Sequence, residues 1–186
     1  MRKLHPHQEI VGLRGLTVED FWIWAYSDLL TNVTRNAFAE FMVGFALARL
    51  HTPRIGLEPS LFEYRDKLVA VRAAAYTQSE PQIKPSKINF NISAPKPAGA
   101  DKPREPDCFV FCLFSYEHFK DKDGARDAML NTEYWSFYVV PQKVIQNAAT
   151  GKKTLGVSWM QENTPGGSVT FSQLRFRVDD VLGLQS

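Results

Sequence analysis

Residues 68–79 read "LVAVRAAAYTQS", and the fold turns on this stretch. Val69 and Val71 alternate with Ala70 and Arg72, as in a strand that presents every second side chain to the same face. Just upstream, "RD" at 65–66 separates it from "SLFEY" at 60–64, so the two runs predict a hairpin. Downstream, "KINFNI" at 87–92 places Ile88, Phe90 and Ile92 on one face. "CFVFCLF" at 108–114 is continuously apolar, as a central strand covered on both sides would be. "YWSFYVVP" at 134–141 is a further strand, stopped by proline.

Helical patterns flank these strands. "TVED" at 17–20 sets a hydroxyl before an acid three residues on, which opens a helix over "VEDFWIWAYSDLL". A second helix is predicted over "NVTRNAFAEFMVGFALARL", 32–50, with Phe38, Phe41, Met42 and Phe45 on one stripe and Pro53 as its stop. Trp22, Trp24 and Tyr26 read as core and helix-packing residues rather than as a base-stacking platform. A short helix falls near "PQKVIQNA", and a closing helix in "TFSQLRFRVDDVLGL" is capped by Thr170 or Ser172. The order predicts an α/β fold: a mixed central sheet of about five strands with helices on both faces.

The 186 residues fit a single domain over 1–186, with an N-terminal arm at 1–16 and a Pro-rich loop at 93–107. A net charge of +2 is too small to indicate nucleic acid by itself. Cys108 and Cys112 stand four strand residues apart, roughly 13 Å, which is beyond disulfide reach. They read as buried thiols of a reducing compartment, and the expected location is cytoplasmic. "MRKLHPHQEIVGL" has no apolar h-region and "FMVGFALA" is far short of a membrane span, so no membrane partner is expected. "NTPGGS" lacks the Lys-Ser/Thr of a phosphate loop. No Ser-His-acid pattern or Cys/His zinc spacing stands out, and His5-x-His7 has no nearby third ligand.

A metal-dependent phosphodiesterase needs carboxylates to hold Mg²⁺ near the scissile phosphate and a Lys beside them. A strand carrying acid-x-Lys supplies both on one face, with a second acid from the strand before it. In "LVAVRAAAYTQS" that slot holds Ala70-x-Arg72. Ala binds no metal, and Arg keeps its charge but is a poor proton shuttle. The second acid would fall near Ser60, with Glu58 and Glu63 nearby.

"LTVEDFWIWAYSDLLTNVTRNAFAEFMVGFAL" followed by "VAVRAAAYTQS" resembles an uncharacterised bacterial family of the PD-(D/E)XK, or restriction-endonuclease-like, superfamily. That family reads "DFW-WA-SDLL-N--RG-LAEF", then roughly "IEVKS-AYLQS". The later "PSKINF", "DCFVFCLF" and "YWSFYVVPQKVI" also look like its later segments, so the resemblance spans about 16–178. It implies a restriction-endonuclease-like core. Glu40 stands at the family's helix Glu, Gln78 at the Gln after the catalytic strand, and Arg72 at the Lys. Ala70 stands at the main catalytic acid, Ser60 roughly at the other, and Asn36 replaces the helix glycine. These positions imply a catalytically degenerate nuclease, with Glu40, Ser60, Ala70, Arg72 and Gln78 as vestiges of the site.

On this reading the protein acts by binding nucleic acid, DNA or RNA, or a protein partner, and needs no cofactor. Lys84, Lys87, Lys96, Lys102 and Arg104, around the Pro-rich loop, are the candidates to track a phosphate backbone. An alternative is an active Mg²⁺-dependent endonuclease whose carboxylates have migrated to Glu40, Glu58 and Glu63. A third is a structural or interaction protein with no nucleic-acid role. Glu40 also has a structural reading, in which Arg72 pairs with it and neutralises a buried acid.

Overall fold

The computed structural model describes residues 2–51, 53–54, 61–95, 101–116, 118–148 and 151–184. The hairpin forms as the sequence predicts. β1 (Leu61–Tyr64) runs antiparallel to β2 (Lys67–Ala75), with Tyr64 opposite Lys67. Arg65 and Asp66 both take positive φ, 48° and 62°, as a two-residue turn of this hand requires. β2 then lies parallel to β4 (Cys108–Phe114), which pairs antiparallel with β5 (Trp135–Pro141). The sheet is mixed, in the order β1-β2-β4-β5, and the class is α/β.

Among the described residues the central sheet has four strands, where the sequence predicts about five. "KINFNI" contributes only β3 (Asn89–Asn91), which leaves the sheet and pairs antiparallel with β6 (Thr154–Gly156). Its alternation is real: Ile88, Phe90 and Ile92 are all buried. They are buried against the face of the sheet, not at its edge.

Each face carries its own core. One face has Val69 and Val71 of β2, Cys108, Val110, Cys112 and Phe114 of β4, and Trp135, Phe137 and Val139 of β5. Over it lie α2 (Asn32–Ala46), α3 (Lys122–Met129) and α6 (Leu174–Leu182). The other face has Ala70, Ala74, Phe109, Phe111, Leu113, Tyr138 and Val140. It is covered by β3 and β6, by α4 (Gln142–Ala148) and by α5 (Val157–Asn163). Every residue of β4 is buried, so both faces of that strand add stability, at about 1.5–3 kcal/mol for each large apolar side chain. Cys108 and Cys112 are buried and unpaired. Burial pushes the Cys108 thiol up to about 12 and raises Cys112 as well, which keeps both protonated and unreactive.

The closing helix follows a capping box. The Thr170 amide donates to Gln173 Oε1 at 3.1 Å, and Gly183 ends α6 with φ 66°. Tyr64 donates to Asp179 Oδ1 at 2.8 Å and ties α6 to β1.

The first two helices correct the sequence reading. α1 (Val18–Tyr26) is capped as predicted, with the Asp20 carboxylate accepting from the Thr17 amide and hydroxyl at 2.7 and 2.8 Å. The arm holds it through Val18 N to Gln8 O and Glu19 N to Pro6 O. Yet only Val18 is buried. Trp24 is 83% exposed, and Phe21, Trp22, Ile23 and Tyr26 are exposed with it, so they are not core. In α2, Phe41 and Phe45 face outward, while the buried stripe is Arg35, Ala39, Met42 and Val43. No helix among the described residues is long and apolar enough to cross a membrane.

Candidate functional site

Among the described residues β1 pairs with β2 as far as Ala70. Beyond it β2 continues with no strand beside it on that side among the described residues, and side chains satisfy its backbone instead. Arg72 donates to Val71 O at 2.8 Å, Ala73 N donates to Asn36 Oδ1 at 2.9 Å, and Gln78 Nε2 donates to Ala75 O at 2.7 Å. Three positions singled out by the resemblance therefore now cap a strand.

Ala70 is fully buried, opposite Leu61 on β1 and beside Phe109 on β4, in the apolar layer under β3 and β6. Arg72 donates to Ser93 O at 3.0 Å and lies 5.6 Å over the Phe109 ring. Burial lowers the pKa of its guanidinium, and the charge of Glu40 works the other way. Glu40 is buried on α2, over the opposite face of the sheet. Its partner is Arg54, not Arg72. Arg54 Nε donates to Glu40 Oε2, and a second nitrogen donates to Oε1 at 2.9 Å. These hydrogen bonds raise the pKa of Arg54. The pairing explains why Glu40 tolerates burial, with a different arginine from the expected one.

Glu63 is exposed on β1, opposite Leu68 and on the same face as Ala70, so the sheet separates it from Glu40. Glu58 and Ser60 lie outside the described residues. Among the described residues no three of His, Cys, Asp and Glu stand close enough to hold a metal ion. Glu40 and Glu63 do not form a Mg²⁺ donor set.

The structure gathers a different polar group where β2 ends. A cleft of about 460 Å³ is lined by Asn32 and Arg35 at the start of α2, Ala73–Ala75, Gln78, Glu80, Gln82, and Ser86 to Asn89. Arg35 reaches it from a site that is 2% exposed. It donates to Leu30 O at 2.9 Å, to Gln78 Oε1 at 3.1 Å and to Asn32 Oδ1. Burial pulls its pKa down to about 10, still well above neutral, so the guanidinium stays charged. Lys122 braces the cleft wall by donating to Gln78 O and to Gln82 Oε1.

The candidate basic residues divide. Lys87 lines the cleft, and Lys84 stands beside it in the same loop, with its carbonyl accepting from Gln82. Lys102 and Arg104 are exposed toward the end of the sheet where β4 begins, with Arg104 N donating to Pro95 O. β2 and β4 are parallel, so this is the end away from the cleft. Lys96 lies outside the described residues.

Reading the sequence alone missed Arg35, Asn32, Gln82 and Lys122. A signal existed for the first: Arg35 sits four, seven and eight residues before Ala39, Met42 and Val43, a charge on an apolar stripe at helical spacing. Comparison of the chain with protein-family models, with curated proteins and with solved structures finds no match.

Proposed function

We propose that the chain is a catalytically degenerate relative of PD-(D/E)XK nucleases that works by binding nucleic acid rather than by cutting it. The observation that supports this reading is the fate of the acid-x-Lys slot. Ala70 is sealed in an apolar layer, and Arg72 is engaged by Val71 O, Ser93 O and the Phe109 ring. Glu40 is held by Arg54. What stays open is a polar cleft with Lys87 on its lining and Lys84 next to it. Such cations suit contacts to phosphates, which position a strand without reading its sequence.

The test uses labelled single- and double-stranded DNA and RNA, in Mg²⁺ and in Mn²⁺, with Glu40→Ala alongside. The expected result is no metal-dependent cutting by folded protein, together with binding that weakens as salt rises. Cutting that needs metal and disappears in Glu40→Ala would establish the active enzyme with migrated carboxylates. Absence of binding even at low salt would leave an interaction protein with no nucleic-acid role.

A second reading, in which the bound partner is a protein, is favoured by α1. Its five outward side chains expose on the order of 500 Å² of apolar and aromatic surface. Val11, Leu13 and Leu16 of the arm are exposed as well, and an ordinary interface takes roughly 800 Å² per side. α1 itself carries no charge beyond Glu19 and Asp20 in its first turn, which suits a second copy of this chain better than a charged partner. Sedimentation over a range of concentrations would show a dimer that Trp24→Asp returns to monomer. A wild-type monomer at every concentration would remove this reading.

A further inference from the structure

Three charged side chains are buried among the described residues: Arg35, Glu40 and Asp179. Glu40 has Arg54, and Asp179 lies 3.8 Å from Arg65 and accepts from Tyr64. Among the described residues Arg35 has no carboxylate partner. Its three hydrogen bonds there all go to neutral oxygens, and its Nε–H, also buried, has no acceptor among those residues. A guanidinium has five N–H donors, so two remain unused. Burying a cation without a counter-charge is costly. Tying Leu30 O, Gln78 and Asn32 together requires donors but no charge, and an uncharged amide side chain supplies donors without that cost.

We infer that the cleft at the end of β2 is a phosphate-binding site, with Arg35 supplying the buried charge and Lys87 the charge at the rim. The edge of the guanidinium formed by Nε and its neighbouring nitrogen is the fork that takes an oxyanion two-handed. Asn32 Oδ1 now takes one nitrogen of that edge and leaves Nε over. It is exposed on the first turn of α2, so its amide can give way to a charged oxygen without disturbing the core. Glu80 also lines the cleft and opposes an anion, and Lys122, bonded to Gln78 and Gln82 of the lining, adds a positive charge behind it. The volume, about 460 Å³, is that of a small-molecule pocket, larger than one phosphate needs. The phosphate therefore belongs to a larger ligand: a small phosphorylated molecule, or the phosphorylated end of a nucleic-acid strand. Only the second source rests on the nucleic-acid reading above.

The test is thermal unfolding of the full chain with inorganic phosphate, a nucleoside monophosphate, and one oligonucleotide with and without a terminal phosphate. Chloride and acetate at matched ionic strength serve as controls. Phosphate-bearing probes should raise the melting temperature and the controls should not. Lys87→Ala should weaken the apparent affinity by roughly tenfold, the scale of one charge-assisted contact, and Arg35→Gln should abolish it. If Arg35→Gln fails to fold, Lys87→Ala decides, because Lys87 is exposed and outside the core. A preference for the phosphorylated oligonucleotide assigns the site to strand ends, and a preference for the nucleoside monophosphate assigns it to a small ligand. No shift with any phosphate probe overturns the site, as does a shift that survives Lys87→Ala undiminished. Oligonucleotide binding that ignores the terminal phosphate and both substitutions overturns the site while leaving nucleic-acid binding intact.

Discussion

α1 and α2 follow one another in the chain and are written in similar residues, yet they meet opposite surroundings. α2 crosses β2, buries Ala39, Met42 and Val43 against the sheet, and carries two buried charges at fixed positions. α1 is as aromatic, is capped with equal care, and buries only Val18. A nine-residue helix with so little packing is marginal in water. Hydrophobicity in the sequence thus measures capacity for burial, and the position of an element relative to the sheet decides whether that capacity is used.

The largest expected effects break this contrast if it is wrong. Met42→Ala should cost about 3 kcal/mol in urea unfolding, through lost transfer energy and the cavity it leaves. Trp24→Ala removes a far larger side chain but should change stability by less than about 0.5 kcal/mol. Comparable losses for the two would mean that α1 packs against something in solution. At Glu40 of α2, removing its partner from outside the helix by Arg54→Ala should cost about 2 kcal/mol because it strands the buried carboxylate. The loss is smaller than for a fully buried pair because the Arg54 side chain is one-third exposed and water replaces part of it. Adding Glu40→Gln to Arg54→Ala should recover most of the loss. A cycle of single and double variants that shows no coupling would mean the pair is not formed.

The central architecture was legible because its signals are local. The Arg65-Asp66 turn, the unbroken apolar run of β4 and the Thr17 and Thr170 caps each act over a few residues. What was not legible depends on distant partners. β6 is "TLG", three residues with no strand pattern, and it is a strand only because Asn89–Asn91 lies beside it. α3, "KDGARDAM", is mostly polar, with only Ala125, Ala128 and Met129 to mark its buried side. The candidate site divides in the same way. Ala70 and Arg72, which the resemblance sets at an acid-x-Lys slot, could be read directly. The arginine that holds Glu40 could not, because residue 54 meets residue 40 only after α2 has turned the chain. The cleft needed the fold as well, since Arg35 and Gln78 are 43 residues apart.

The smallest effect sharpens where the anchored part of the molecule begins. Asp28 sits in the link between the two helices and ties it to the cleft. It accepts from Leu30 N at 3.1 Å and from the Ser79 hydroxyl, and lies 3.6 Å from Arg126 Nε. Burial alone would raise its pKa, but Ser79, Leu30 N and Arg126 outweigh burial and lower it. Asp28→Asn keeps an acceptor and loses the charge, so it should cost about 0.5–1 kcal/mol at neutral pH, modest because both partners of the ion pair are partly exposed. The pH dependence has a definite sign. A carboxylate whose folded pKa lies below its unfolded value, about 3.9, adds stability above that value and loses it as pH falls through the folded one. The gap between wild type and Asp28→Asn should therefore be flat from neutral pH down to about 5 and close below about 4. A gap that persists unchanged in acid would mean that the charge of Asp28 plays no part, and that the link is held by hydrogen bonds an amide makes equally well.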